Sequence, residues 1–218
     1  VAIGDRAFEN RTDLRTVMIP DSVTEMGGYA FNNCTNLSNV TLSKNLESMG
    51  SSAFGNCDGL TQIEIPKSLD IGGNYYLGAF SDCANIKKVT FERGTTKIAS
   101  SLFCGCTGIE KIDIPDTVTI IQDYAFKECK NLSTVNIPES VTEIGSKAFY
   151  ECISLSNVNI PDSVTKIGGY AFYQCKNLVN VTLSKNLEKM DCNAFGNCDG
   201  LTQIEIPKSL DIGGDYYS

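Results

Sequence analysis

The chain has 218 residues, of which 42% are hydrophobic and 20% are charged, as in a folded protein with a substantial core. Its formal net charge of -8 would repel a phosphate backbone, which argues against nucleic acid as a partner. The sequence contains no histidine and no tryptophan, which removes catalysis by a histidine base, the commonest nitrogen ligand of zinc and the best aromatic platform for cations.

A phenylalanine recurs along the chain at a constant interval, 31 − 8 = 23, which is lengthened once to 80 − 54 = 26. The series is Phe8, Phe31, Phe54, Phe80, Phe103, Phe126, Phe149, Phe172 and Phe195. Alanine precedes all of them except Phe103, so the pair is predicted to be a packing unit. Because so short a turn cannot bury its own apolar stripe, residues 1–218 are predicted to form a single solenoid of about nine stacked turns.

One turn, from Leu132 to Cys152, reads "LSTVNIPESVTEIGSKAFYEC" and predicts two short extended segments. The first, Leu132 to Ile137, alternates apolar and polar residues like a half-buried strand, and Pro138 ends it. The second, "SVTEIGSKAF", is rich in β-branched residues and is predicted to run back along the opposite side as a short extended or bent segment.

A longer repeat is also present, because the stretch from Val40 to Tyr76 returns from Val181 to Tyr217, at an offset of 181 − 40 = 141. Five of its 37 positions differ, and the offset equals six turns with three positions added, since 6 × 23 + 3 = 141. A block of six turns is therefore duplicated. Neither end of the chain shows the polar cap that a solenoid needs, so we expect a fragment of a longer array, with any export signal and anchor outside it.

The pattern "LxxVxIPxSVTxIGxxAFxxCxN" resembles the BspA-type leucine-rich repeat, also called the Treponema pallidum-type repeat, along essentially the whole chain. Three turns depart from it by lacking the proline: the two that read "VTLSKNL" and the one that reads "VTFERGT". The resemblance implies a right-handed leucine-rich-repeat superhelix with a parallel sheet on the concave face, short strands or irregular segments on the other, and few or no long helices. It also implies a cell-surface or secreted protein of a host-associated bacterium that acts in adhesion or other binding, without catalytic residues or a cofactor.

Eight of the ten cysteines lie three residues after a repeat phenylalanine, whereas Cys104 and Cys192 lie outside that register. One cysteine per turn at a fixed position is typical of a small buried hydrophobic residue in an internal ladder. The alternatives are a few disulfides between neighbouring turns and a metal site at Cys104 and Cys106. No histidine or second cysteine pair completes such a metal site, so we expect no bound metal.

The first segment of each turn is predicted to be a strand that offers alternate polar residues outward, among them Asn136, Asn157, Asn159 and Asn180, and in the last turn Gln203 and Glu205. Side chains of this kind can hydrogen-bond an extended polymer or a glycan, and they can equally serve to solvate a sheet face.

Four tyrosines border the Ala-Phe pairs of three consecutive turns and are predicted to form one patch: Tyr124, Tyr150, Tyr170 and Tyr173. Exposed tyrosines are typical of protein-binding hot spots, although the alternative is that they only cover the edge of the phenylalanine series. The single longer turn places Tyr75 and Tyr76 in an insertion, which predicts either a mobile aromatic knob or a bulge.

These observations favour a noncatalytic extracellular or cell-surface module that binds a host matrix or surface protein, a glycan or another cell. The alternative is a passive spacer that displays another domain. No apolar run approaches the ~20 residues of a membrane-spanning helix, so we expect no direct membrane insertion. No convergent nucleophile, base and electrophilic donor can be assembled, so we expect no enzymatic activity.

Overall fold

The computed structural model describes residues 1–70 and 77–210, and within these ranges the turns up to Met190 contain short strands and no residue is helical. One strand of the turn belongs to a front sheet. The front strands are β2 (Thr16–Met18), β4 (Asn39–Thr41), β6 (Gln62–Ile65), β7 (Lys88–Phe91), β9 (Lys111–Asp113), β11 (Thr134–Asn136), β13 (Asn157–Asn159) and β15 (Asn180–Thr182).

The other strand of the turn is a two-residue rear strand that precedes the repeat phenylalanine. The rear strands are β1 (Ala2–Ile3), β3 (Glu25–Met26), β5 (Ser48–Met49), β8 (Lys97–Ile98), β10 (Ile120–Ile121), β12 (Glu143–Ile144), β14 (Lys166–Ile167) and β16 (Lys189–Met190). The predicted return segment is therefore present, in its shortest form.

Strands of successive turns pair in parallel and in register. Thr134 lies opposite Lys111 on one side and Asn157 on the other, so paired residues are separated by one repeat interval. Ile144 pairs in the same way with Ile121 and Ile167. Equivalent side chains of neighbouring turns therefore stack directly on one another, which confirms the predicted solenoid.

The front sheet is interrupted after each turn that lacks the proline. Its strands form three separate groups, β2-β4, β6-β7 and β9-β11-β13-β15, and the breaks follow the turns "VTLSKNL" and "VTFERGT". Proline confines the residue before it to extended backbone, which holds the strand end straight, whereas the serine or glutamate of these two turns does not.

The duplicated "VTLSKNL" turn at Val181–Leu187 has the same effect. The prediction that Gln203 and Glu205 belong to a further front strand is wrong, because residues 203–206 form no strand. Their side chains are nevertheless exposed, like those of the true front strands.

The repeat phenylalanines form a continuous ladder of stacked rings. Neighbouring ring centroids lie 4.9 to 6.0 Å apart with interplanar angles of 2° to 18°. The backbone supports the same column, because each repeat phenylalanine from Phe8 to Phe172 donates its N–H to the turn that follows. Phe149, for example, donates to the Ala171 carbonyl at 2.8 Å.

The cysteine ladder runs beside these rings. Its members are Cys34, Cys57, Cys83, Cys106, Cys129, Cys152, Cys175 and Cys198, all buried and all free of disulfides. Each Sγ donates to the carbonyl of the repeat phenylalanine one turn earlier, at 2.9 to 3.3 Å. The predicted buried ladder is confirmed, and its thiols also bridge successive turns.

Of the two cysteines outside the ladder register, Cys104 is buried and Cys192 is exposed. Burial raises the pKa of the Cys106, Cys129 and Cys152 thiols well above its usual range, because the thiolate would lose its hydration. Burial likewise raises the pKa of Cys104 to about 11.

We predict that Phe149→Ala destabilises the protein by about 3–5 kcal/mol, because it removes a fully buried ring between two stacked neighbours. The free energy of unfolding in urea is the measurement. Phe8→Ala is the matched control, since Phe8 is 39% exposed and contacts a ring on one side, and it should cost far less. Equal losses for the two variants would contradict a ladder that is stabilised by burial.

We predict that iodoacetamide at mildly alkaline pH labels Cys192 rapidly in the folded protein. The other nine thiols are buried, and those of high pKa stay protonated, so they should react only after unfolding. Peptide mass spectrometry of the labelled chain gives the sites. Comparable labelling of Cys152 and Cys192 under native conditions would show that the ladder is open.

Candidate functional site

The four tyrosines that border consecutive Ala-Phe pairs meet at one edge of the solenoid, and we call Tyr124, Tyr150, Tyr170 and Tyr173 the tyrosine cluster. The rings of Tyr150 and Tyr173 stack with centroids 5.4 Å apart. Tyr170 meets Tyr173 edge to face at 5.2 Å. The structure therefore brings together residues up to 49 positions apart, since 173 − 124 = 49.

A lysine lies at the centre of the tyrosine cluster. The Lys147 Nζ is 5.5 Å from the ring centroids of Tyr124 and Tyr170 and 5.8 Å from that of Tyr150. These distances are within the range of cation–π attraction. Sequence reasoning overlooked Lys147, although it occupies the same repeat position as Tyr124 in the turn before and Tyr170 in the turn after.

The cluster residues are half-buried, so that each presents part of its side chain to solvent. Burial raises the pKa of the Tyr150 hydroxyl, and the nearby Glu151 carboxylate, which accepts a hydrogen bond from that hydroxyl, raises it further. That hydroxyl therefore stays neutral and able to donate. The Tyr173 hydroxyl accepts a hydrogen bond from Asn197 Nδ2 at 2.8 Å, which orients its ring.

The backbone beneath the cluster is in the left-handed region. Tyr124, Lys147 and Tyr170 have φ values of 59°, 55° and 58°. This conformation points their N–H groups along the solenoid axis, where each donates to a carbonyl of the next turn at 2.9 to 3.0 Å. Asn193 has the same conformation at the equivalent position of a later turn, and asparagine adopts it more readily than bulky residues do. Each tyrosine held in this conformation therefore costs about 1 kcal/mol or more of backbone strain.

The second group of predicted residues, Asn136, Asn157, Asn159 and Asn180, lies exposed on the front sheet. Asn180 Nδ2 donates to Asn157 Oδ1 at 2.7 Å, so one hydrogen bond already joins two of the four amides across turns. Asn157 also donates to Ser156 Oγ at 2.9 Å. This internal pairing favours the solvating role for Asn157 and Asn180 over direct readout of a ligand.

The other predicted features give no site. Tyr75 and Tyr76 lie outside the described residues. In the part of the chain that the structure describes, no group of three or more cysteine or carboxylate side chains could hold a metal ion, and no helix could cross a membrane.

Comparison with known proteins gives a consistent result for the fold. A family model described as a BspA type leucine rich repeat region matches in six copies, over residues 1–112 and 96–217. A search of curated proteins found no match.

Three solved structures illustrate the likeness. A leucine-rich repeat protein from Bacteroides ovatus is 25% identical, with a TM-score of 0.60, over 95% of this chain and 70% of its own. A leucine rich cell surface protein from Faecalibacterium prausnitzii is 29% identical, with a TM-score of 0.50, over 96% and 71%. The T. pallidum leucine rich repeat protein is 23% identical, with a TM-score of 0.52, over 82% and 71%, and supports the fold alone.

The family model spans nearly the entire chain, and the structure has the same succession of parallel strands and buried ladders in turn after turn. The chain belongs to the BspA-type leucine-rich repeat family.

Proposed function

We propose that the chain is a noncatalytic binding module of the cell surface or the extracellular space, which recognises a host matrix or surface protein through the tyrosine cluster. The observation that carries this proposal is the set of four half-buried tyrosines, three of which surround Lys147 and two of which are held at left-handed backbone positions. The surface location is supported by the likeness to the Faecalibacterium prausnitzii protein, which is described as a cell surface protein.

A protein partner suits the chemistry of the cluster better than a glycan does. Tyrosine combines a large apolar ring with a hydroxyl, and clusters of it supply contact area at low cost in side-chain entropy. The stacked faces of Tyr150 and Tyr173 are turned toward each other, so ring edges and hydroxyls are what a partner meets. A sugar ring, by contrast, needs an open apolar face for its C–H groups, and these two stacked rings turn theirs toward each other.

The interpretation that the tyrosines merely cover the phenylalanine ladder explains less. The ladder rings from Phe54 to Phe172 are completely buried, including those in turns whose equivalent positions hold serine or glycine instead of tyrosine. Ser81, next to Phe80, stands where Tyr150 stands in its turn, and Ser101, two residues before Phe103, stands where Tyr124 stands in its turn. Covering the ladder therefore does not require an aromatic side chain.

The test is a variant that removes the cluster without disturbing the turns. Tyr124→Asn and Tyr170→Asn use the residue that Asn193 places at the equivalent left-handed position, and Tyr150→Ser and Tyr173→Ser copy Ser81. We expect the free energy of unfolding of the fourfold variant to lie within about 1–2 kcal/mol of the wild-type value. Its affinity for immobilised matrix proteins such as fibrinogen, fibronectin or laminin should fall at least ~100-fold.

The matched control is Tyr29→Asn, which changes the same repeat position four turns before Tyr124, where the Arg6 guanidinium lies 4.7 Å from the centroid of the Tyr29 ring. It should bind like the wild type. Unchanged binding by the fourfold variant would place the contact elsewhere. Failure of the wild type to bind any matrix protein would favour the passive spacer.

A further inference from the structure

The first break in the front sheet opens a cleft between β4 and β6. The cavity has a volume of about 270 Å³, with an apolar floor of Val40, Leu42 and Pro66 and a polar rim that includes Lys44, Glu64 and Glu92. An adjoining cavity of about 220 Å³ shares Val40 and Glu64 and extends the cleft along the sheet toward Lys88 and Thr90.

The duplicated block carries a matching cleft between β15 and residues 203–206, which form no strand. A cavity of about 210 Å³ is lined by Val181, Leu183, Lys185, Glu205 and Pro207, which are the counterparts of the first cleft's residues in the second copy. We call the two cavities the twin clefts. By strand spacing, six turns place them about 30 Å apart along the solenoid.

The five positions that differ between the two copies all lie outside the twin clefts. Four of them fall together at residues 48–52 of the first copy, in and after the rear strand, and the fifth is Asn74. Val40, Leu42, Lys44, Glu64 and Pro66 of the first cleft recur unchanged as Val181, Leu183, Lys185, Glu205 and Pro207 of the second, whereas Glu92 lines the first cleft alone. The chain thus presents one recognition surface twice.

The cleft offers free hydrogen-bonding groups. No ladder hydrogen bonds join β4 to β6, so the facing edges expose backbone amides and carbonyls. Among the described residues, the carboxylates of Glu64 and Glu205 have no ion-pair or hydrogen-bond partner, although each lines its cavity. Such a site fits a ligand rich in hydroxyl groups, which can donate to carboxylates and carbonyls and accept from amides and ammonium groups.

The dimensions of the cleft exclude an added β-strand. The Cα atoms of β4 and β6 approach within 8 Å, whereas a strand inserted between two others needs about 9.6 Å, twice the strand spacing. Each of the twin clefts, at about 270 and 210 Å³, is by itself smaller than the ~300–1,000 Å³ of sites for drug-sized ligands, which suits a single sugar ring. Because the first cleft has two carboxylates and one lysine at its rim, it disfavours an anionic sugar.

We propose that the twin clefts bind a neutral polysaccharide, one sugar residue in each, so that a single polymer chain engages both. The apolar floor of each cleft takes the C–H face of the sugar ring. Glu64 and Glu205 accept hydrogen bonds from its hydroxyls. This activity goes beyond the proposed function, since it uses the front sheet and not the tyrosine cluster.

The experiment measures binding of the full 218-residue chain to immobilised mannan, dextran, galactan, xylan and β-glucan. We expect retention on at least one polymer. Glu64→Ala or Glu205→Ala should each weaken the apparent affinity by ~10-fold or more through lost avidity, and the double variant should lose binding. The free monosaccharide should compete only at much higher concentration than the polymer.

Two controls separate this proposal from the proposed function. Glu139→Ala removes an exposed carboxylate in a proline-containing turn where the front sheet is intact, and it should bind the polymer normally. The fourfold tyrosine variant should also bind the polymer normally. Retention on none of the polymers, wild-type binding by the Glu64 and Glu205 double variant, or loss of polymer binding in the tyrosine variant would overturn the proposal.

Discussion

The contact between one repeat phenylalanine and the next is the interaction on which the rest of this structure depends. A single turn closes around one ring and cannot form a core by itself, so its stability comes from the ring above and the ring below. The S–H donated by each ladder cysteine to a phenylalanine carbonyl, and the phenylalanine N–H donated to the next turn, hold the backbone at the spacing that the rings require. Every surface feature is therefore repeated at that spacing unless the sequence changes.

Because the interior is so regular, the functional proposals rest on the positions where the sequence departs from the repeat. A lysine and four tyrosines replace small or polar residues at one edge, and a serine replaces a proline where the front sheet separates. Neither change disturbs the buried column, in which Phe149 and Phe54 stay fully enclosed. The fold tolerates these substitutions because the column is formed by other residues, and this separates stability from recognition.

The sequence predicted most of the fold, because its period reports the stacking directly. Phe149 and Cys152 recur where the interior requires them, and Pro138 stands where a front strand ends. The meeting of Tyr150 and Tyr173 followed from the same period, which places equivalent residues of successive turns on top of each other.

Other features were not predictable, because they arise between turns. The left-handed backbone at Tyr124 and Tyr170 is imposed by hydrogen bonds to the following turn and contradicts the local preference of tyrosine. The contacts of Lys147 depend on side-chain directions that this backbone creates. The break after β4 occurs because serine, unlike proline, does not confine the residue before it to extended backbone. This effect becomes visible only in the pairing of β4 with the strand of the next turn.

The central claim is that a rigid stacked column presents the tyrosine cluster to a protein partner. Amide hydrogen exchange, measured on the chain alone and in complex with a captured matrix protein, tests it most directly. We predict added protection confined to the turns between residues 122 and 175, with the exchange of the buried column elsewhere unchanged. Protection that is spread evenly along the chain, or confined to turns that lack the cluster, would contradict it.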